Sequence, residues 1–176
     1  MKLSRLTAPI AVLALLAGCA QKTVEAPTAP AAPPPPDPVA VQAELTDTLN
    51  KVLQAFRSKD AASVAGWFTE DATWILPNAT TYRGRAAIQK GAEEFLAQFG
   101  DVSFAPATID KLVVISDTEA LTFTIGSFTV TTKDKKAPAT MSNPFADYWQ
   151  KGADGVWRIA YEVNAEGPMP AAPAQP

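Results

Sequence analysis

The 176-residue chain contains no histidine, and its single cysteine, Cys19, stands near the N-terminus, outside every segment that patterns as folded. Imidazole acid–base catalysis, a thiolate nucleophile, and zinc or copper sites with the usual nitrogen and sulfur ligands are therefore excluded for the folded part. A surplus of positive charge is missing too. Fifteen Lys and Arg against eighteen Asp and Glu leave a formal charge of −3, with no basic cluster that could follow a phosphate backbone, so no nucleic-acid partner is expected. The one long apolar run, near the N-terminus, is about half of the roughly 20 residues that a transmembrane helix needs. Carboxylates, tyrosines and lysines are what remains for chemistry, and no metal or cofactor is implied.

Proline is plentiful but segregated. Of 16 prolines, seven lie in residues 27–38 and four in residues 168–176. Because proline lacks the backbone donor and fixes its own dihedral, these stretches bracket a folded domain at residues 39–165. A domain of that size buries roughly two thirds of the surface that its unfolded chain exposes, enough to fold without a disulfide or a metal. Residues 1–18 have a basic start (Lys2, Arg5), an apolar centre and small residues before Cys19, the layout of a secretory signal. The sequence Leu16-Ala17-Gly18-Cys19 resembles the cleavage box of bacterial lipoproteins. That resemblance implies an acylated Cys19 as the mature N-terminus, and Ala20 after it implies the outer membrane of the cell envelope, facing the periplasm. Acyl chains at about 0.8 kcal/mol per buried methylene would make the attachment essentially permanent. Residues 19–38 then read as a semi-extended tether at roughly 3 Å per residue, and residues 166–176 as an unfolded Pro/Ala tail.

The domain divides into a helical half and a sheet half, joined by residues 67–88. Leu45, Leu49, Val52, Leu53 and Phe56 fall on one face of a first helix. Asp60 suits the N-cap of a short second helix over residues 61–68, with Val64, Trp67 and Phe68 inward, ended by a turn at residues 69–71. A strand over residues 72–76 stops at Pro77, and Gly84 opens a third helix reaching to about Phe99. Four segments then alternate with strand periodicity, at residues 107–116, 119–132, 140–151 and 156–164. Their short polar connections, including the lysine-rich run 133–136, predict an antiparallel meander. Leu121, Phe123 and Ile125 have the opposite parity to Phe128 and Val130, which predicts a bulge at Gly126. Trp157, Tyr161 and Val163 share a parity, with Arg158, Glu162 and Asn164 opposite.

Three helices against a bent antiparallel sheet make an α+β fold with a concavity. This order of elements, with Asp71-Ala72-Thr73, Arg83-Gly84-Arg85-Ala86-Ala87-Ile88 and Gly155-Val156-Trp157-Arg158-Ile159, resembles the SnoaL-like branch of the nuclear transport factor 2-like superfamily over about residues 42–164. The resemblance implies a cone whose open end is a ligand pocket, often dimeric through the sheet. It covers isomerases, cyclases and members without catalysis. Aligned on ketosteroid isomerase, the general-base position falls on Leu76 and the oxyanion-hole tyrosine on Val52, both apolar, while the protonated-carboxyl position falls on Asp147.

Asp147 alternates with Phe145 and Trp149 on one strand face. Large apolar neighbours desolvate a carboxylate and raise its pKa, making Asp147 a candidate acid; the alternative is an ion pair with Arg83 or Arg85. Tyr82, beside the Arg83-Gly84 turn, is the other candidate for acid–base work. Ligand contacts are expected from Trp74, Leu76, Tyr82, Phe145, Asp147 and Trp149. Trp74 also suits a core position, and Asp71 a brace for the turn. The resulting expectation is an anchored envelope lipoprotein whose domain binds a small, largely apolar molecule or serves as a dimerising module. The alternatives are a cyclase- or isomerase-type enzyme using Asp147 and Tyr82, and a structural partner-binding lipoprotein. The anchor is tested by Cys19→Ser, which should release the protein from membranes or leave an uncleaved precursor; a mature, detergent-extractable membrane protein in that variant would refute the lipidation.

Overall fold

The computed structural model of the chain describes residues 35–132 and 138–165. The expected signal segment, most of the tether, the lysine run 133–136 and the tail 166–176 lie outside the described residues.

Helix α1 (Pro38–Arg57) starts where its caps dictate. The Asp37 carboxylate accepts a 2.9 Å hydrogen bond from the Val39 amide, and Pro38 occupies the first turn, where its missing donor costs nothing. Its face of Val41, Leu45, Leu49 and Val52 is buried. At the far side, Glu44 ties α1 to the sheet by accepting from Lys151 Nζ and Trp157 Nε1, each at 2.7 Å. Helix α2 (Ala61–Gly66) is capped by Asp60, whose side chain accepts from the Ser63 amide at 2.9 Å.

The second helix is shorter than its apolar residues suggested. It ends at Gly66, and residues 69–71, expected as a turn, belong to strand β1 (Phe68–Ile75). Long-range partners explain the difference. The Trp67 carbonyl accepts from the Ile159 amide at 2.9 Å, and the Phe68 carbonyl takes two hydrogen bonds from the Arg85 guanidinium at 3.1 and 2.8 Å. Phe68 is fully buried in this strand position. A turn with Ala79 at φ 64° returns the chain into β2 (Thr81–Arg83), antiparallel to β1. Gly84, at φ 79°, then swings it into helix α3 (Arg85–Leu96); this left-handed conformation favours a residue without Cβ. The helix ends three residues earlier than expected, because Phe99 opens an edge strand, β3 (Phe99–Phe104).

The remaining strands are β4 (Ile109–Val114), β5 (Glu119–Thr132), β6 (Ala139–Lys151) and β7 (Trp157–Asn164). The sheet order is β2-β1-β7-β6-β5-β3, and β4 also pairs with β5. Since β5 pairs continuously with β6, both β3 and β4 occupy its other edge, in tandem. The sheet is mixed rather than all antiparallel, because β1 runs parallel to β7. Three helices packed on this strongly curled sheet give the α+β half-barrel that the sequence pattern predicted.

Two register details differ from expectation and decide what faces inward. Residues 119–130 pair with residues 139–150 without interruption, so there is no bulge at Gly126 between β5 and β6. Ala120, Thr122, Thr124 and Val130 are buried on the inner face, and Phe123 and Ile125 are exposed on the outer one. An irregularity that changes what faces inward lies between β6 and β7. Tyr148 pairs with Tyr161 but Trp149 with Ile159, a step that leaves Ala160 without a partner. Trp157 and Ile159 are therefore buried, whereas Tyr161 and Val163 are 41% and 38% exposed on the outside, and the three residues expected to share one face do not. Glu162 and Asn164 point inward instead.

Candidate functional site

A cavity of about 690 Å³ lies between helix α1 and the sheet. Most of the wall is apolar: Leu49, Val52, Leu53 and Phe56 from α1, Trp74 and Leu76 from β1, Phe95 from α3, and Phe104, Phe128 and Phe145 from the sheet. Phe56 holds this wall together, with ring centroids 5.8–6.3 Å from those of Trp74, Phe95 and Phe104. Phe145 can lie flat against the sheet because its neighbour is Gly126, where a Cβ would come within 2.8 Å of its ring.

Glu162 is the charged residue in that wall. Its Oε1 accepts from Trp74 Nε1 at 2.8 Å and from Asn164 Nδ2 at 2.6 Å. Asn164 is held in turn, accepting from Asn143 Nδ2 at 3.0 Å and donating to the Ile75 carbonyl at 3.3 Å. With both donors on one oxygen, Oε2 is the atom left for an occupant. Burial raises the Glu162 pKa above the ordinary value, and the Asn164 and Trp74 hydrogen bonds oppose that shift.

Asp147 is the direct cross-strand neighbour of Glu162 and is fully buried. Its Oδ2 has one long contact, from Thr122 Oγ1 at 3.4 Å, and its Oδ1 has no partner. The Thr122 hydroxyl oxygen also accepts from Trp149 Nε1 at 2.9 Å. Burial, and secondarily the adjacent Glu162 charge, push Asp147 well above the usual carboxylate range. Of the two carboxyls, Asp147 holds its proton the more firmly, since two short N–H donors favour the ionised form of Glu162 and none comparable reaches Asp147.

Among the expected ligand contacts, Trp74, Leu76 and Phe145 line the cavity. Asp147 and Trp149 are buried in the layer of the sheet beside it. Tyr82 is elsewhere. Its ring lies against Gly91, where even a Cβ would be only 2.7 Å away, and its hydroxyl donates to Glu94 Oε2 at 3.0 Å on the exposed side of α3. Burial of the ring and the Glu94 contact raise the phenol pKa. The alternative ion pair for Asp147 is not formed: Arg83 donates to Thr73 Oγ1 and Arg85 to the Phe68 carbonyl and Glu70. Asp71 accepts from Thr69 Oγ1 at 3.0 Å, a local brace. Leu76 and Val52 both line the cavity and add to its apolar wall. Glu162, Asn164 and Asn143 were not anticipated. Plain alternation from Trp157 turns Glu162 outward, and only the step at Ala160 reverses it.

The fold is that of nuclear transport factor 2-like proteins. A nuclear transport factor 2-like protein from Salmonella enterica serovar Typhimurium superposes with a TM-score of 0.63 at 19% identity, over 78% of this chain and 98% of that one. A ketosteroid isomerase-like protein from Erwinia carotovora atroseptica gives 0.61 at 19% identity, over 70% and 94%. At such identities the likeness establishes the fold alone. The profile of the SnoaL-like domain matches residues 49–161, and the chain belongs to that family. No curated protein sequence matches it.

A carboxyl with a raised folded-state pKa stabilises the fold fully below its unfolded value, and that contribution is lost as pH rises through the folded value. Denaturant melts should therefore show stability falling as pH climbs above 4, by up to about 1.4 kcal/mol per pH unit for each proton involved. Asp147→Asn should flatten that slope and match or exceed wild type at pH 8. An unchanged slope, with the variant less stable at neutral pH by more than about 1 kcal/mol, would mean that Asp147 is ionised and paired.

Proposed function

We propose that this is a membrane-anchored envelope lipoprotein whose SnoaL-like domain binds a small, largely apolar molecule in the cavity beneath α1, and that two copies pair through the outer face of the sheet. The observation that carries the ligand reading is the cavity itself. Protein cores are packed to the density of organic crystals, and Trp74 and Trp149, the residues large enough to fill this space, are packed into the core, 3% and 0% exposed, without closing it. A volume near 690 Å³ suits a small ligand, and a wall of aliphatic and aromatic groups with a few oriented polar atoms is the usual composition of such sites. The acid–base reading through Asp147 and Tyr82 is weaker, because Tyr82 lies outside the cavity wall and Asp147 is sealed beside it.

Pairing is supported by the outer face. Val113 and Ile115 at β4, Phe123 and Ile125 on β5, and Tyr161 and Val163 on β7 are 38–52% exposed and lie on the convex side. A contiguous apolar surface spanning several strands is uncommon on a monomer and self-complementary under a two-fold axis.

A neutral apolar dye such as N-phenyl-1-naphthylamine should bind with an emission increase that saturates at one per domain. Val52→Trp, which places an indole in the cavity, should weaken that binding at least about tenfold. An absent signal in the wild type, or an unaffected one in the variant, would overturn the ligand reading. Sedimentation equilibrium at micromolar concentration of the chain from Ala20 onward, made without lipid, should give a dimer that Phe123→Glu dissociates; a monomeric wild type would overturn the pairing.

A further inference from the structure

Among the described residues that line the cavity, Glu162 is the single ionisable one. A charge enclosed by apolar surface is retained when it is paired as well as hydrogen-bonded. Here the described residues provide hydrogen bonds but no cation. Trp74 and Asn164 are neutral donors and both reach Oε1. The guanidinium groups of neighbouring elements are committed to other acceptors, Arg57 to the Phe104 carbonyl and Arg85 to that of Phe68. The facing groups are Asp147 from β6, Trp74 from β1 and the apolar side of α1, and of these only Asp147 titrates. Its full burial disfavours a second charge beside Glu162, so the pair carries at most one negative charge.

A second polar atom in the same wall lacks a partner. Thr124 is 3% exposed, lines the cavity, and its Oγ1 makes no hydrogen bond. Thr124, Phe145 and Asn164 are consecutive cross-strand partners, so Thr124 and Asn164 flank the Phe145 ring two strand spacings apart, roughly 10 Å. A buried hydroxyl without a partner costs free energy that a ligand atom can recover.

We propose that the cavity selects an apolar molecule bearing a protonated amine at one end, with the Glu162 carboxylate as its counter-ion and Thr124, two strands away on β5, as the hydrogen-bonding partner of a polar group farther along. This rests on the ligand reading above and gives that ligand a chemical class. Where Glu162 is protonated, the incoming ammonium must displace its proton, so affinity for the amine rises with pH until the amine itself deprotonates.

The test compares octylamine, octanol and octanoate as competitors of the neutral dye on the full mature protein, with 8-amino-1-octanol as the two-ended probe. Octylamine should bind at least about tenfold more tightly than octanol, with octanoate weakest. Glu162→Gln should bring octylamine down to the level of octanol while leaving octanol within about twofold. Thr124→Val should weaken 8-amino-1-octanol and not octylamine. Equal binding of octylamine and octanol by the wild type would overturn the inference and leave the apolar-ligand reading standing. Failure of every probe, the dye included, would overturn both. The wild-type ranking decides the matter even if the Glu162 variant does not fold.

Discussion

The one unpaired residue on β7, Ala160, sets the character of the whole interior. Because Tyr148 meets Tyr161 while Trp149 meets Ile159, the strand changes phase midway. Its first half gives Trp157 and Ile159 to the core, and its second half gives Glu162 and Asn164 to the cavity. Without that step Tyr161 and Val163 would point inward, and the space beneath α1 would be filled with hydrocarbon. The Trp74 indole N–H, which now finds Glu162 Oε1, would be left buried and unsatisfied. One register step thus creates both the acceptor that Trp74 needs and the polar end of an otherwise greasy pocket.

The rest of the site is arranged around keeping that carboxylate in place. Asn143 orients Asn164, Asn164 and Trp74 hold Oε1, and Asp147 behind them resists ionisation because it is fully buried. The pair therefore behaves as one titrating unit whose proton resides mainly on the deeper member. Phe56 and its aromatic neighbours supply a stiff opposite wall. Aromatic packing on one side and the hydrogen-bonded carboxylate on the other hold the two walls of the cavity in place.

Much of the fold was legible in the sequence because it follows from local pattern. The cap at Asp60, the apolar face of α1 and the alternation of β6 depend on neighbours only a few residues away. What sequence reading missed depends on distant atoms. Phe68 looks helical until the Arg85 guanidinium and β7 claim the backbone around it, and Phe99 looks like the end of a helix until β5 pairs with it. The site divides in the same way. Trp74, Leu76 and Phe145 were found through their apolar setting, but Tyr82 was drawn off by Gly91 and Glu94, and Glu162 was hidden by a step that no periodicity announces.

Strand β5 pairs with three others along its 14 residues and shows a different surface at every alternate position. Thr122 and Thr124 look into the protein, and Phe123 and Ile125, their immediate neighbours, look out of it. Such a strand tolerates substitutions one at a time but not a change in length. Losing or gaining one codon there would exchange the lining of the pocket for the convex surface in a single event, whereas loss of Ala160 would close the bulge and leave Glu162 opposite Asp147. The reading frame of the two surfaces is therefore fixed at the level of single residues, and diversification of this domain has to proceed by replacement, chiefly on α1, whose side chains touch the cavity without also forming the outer face.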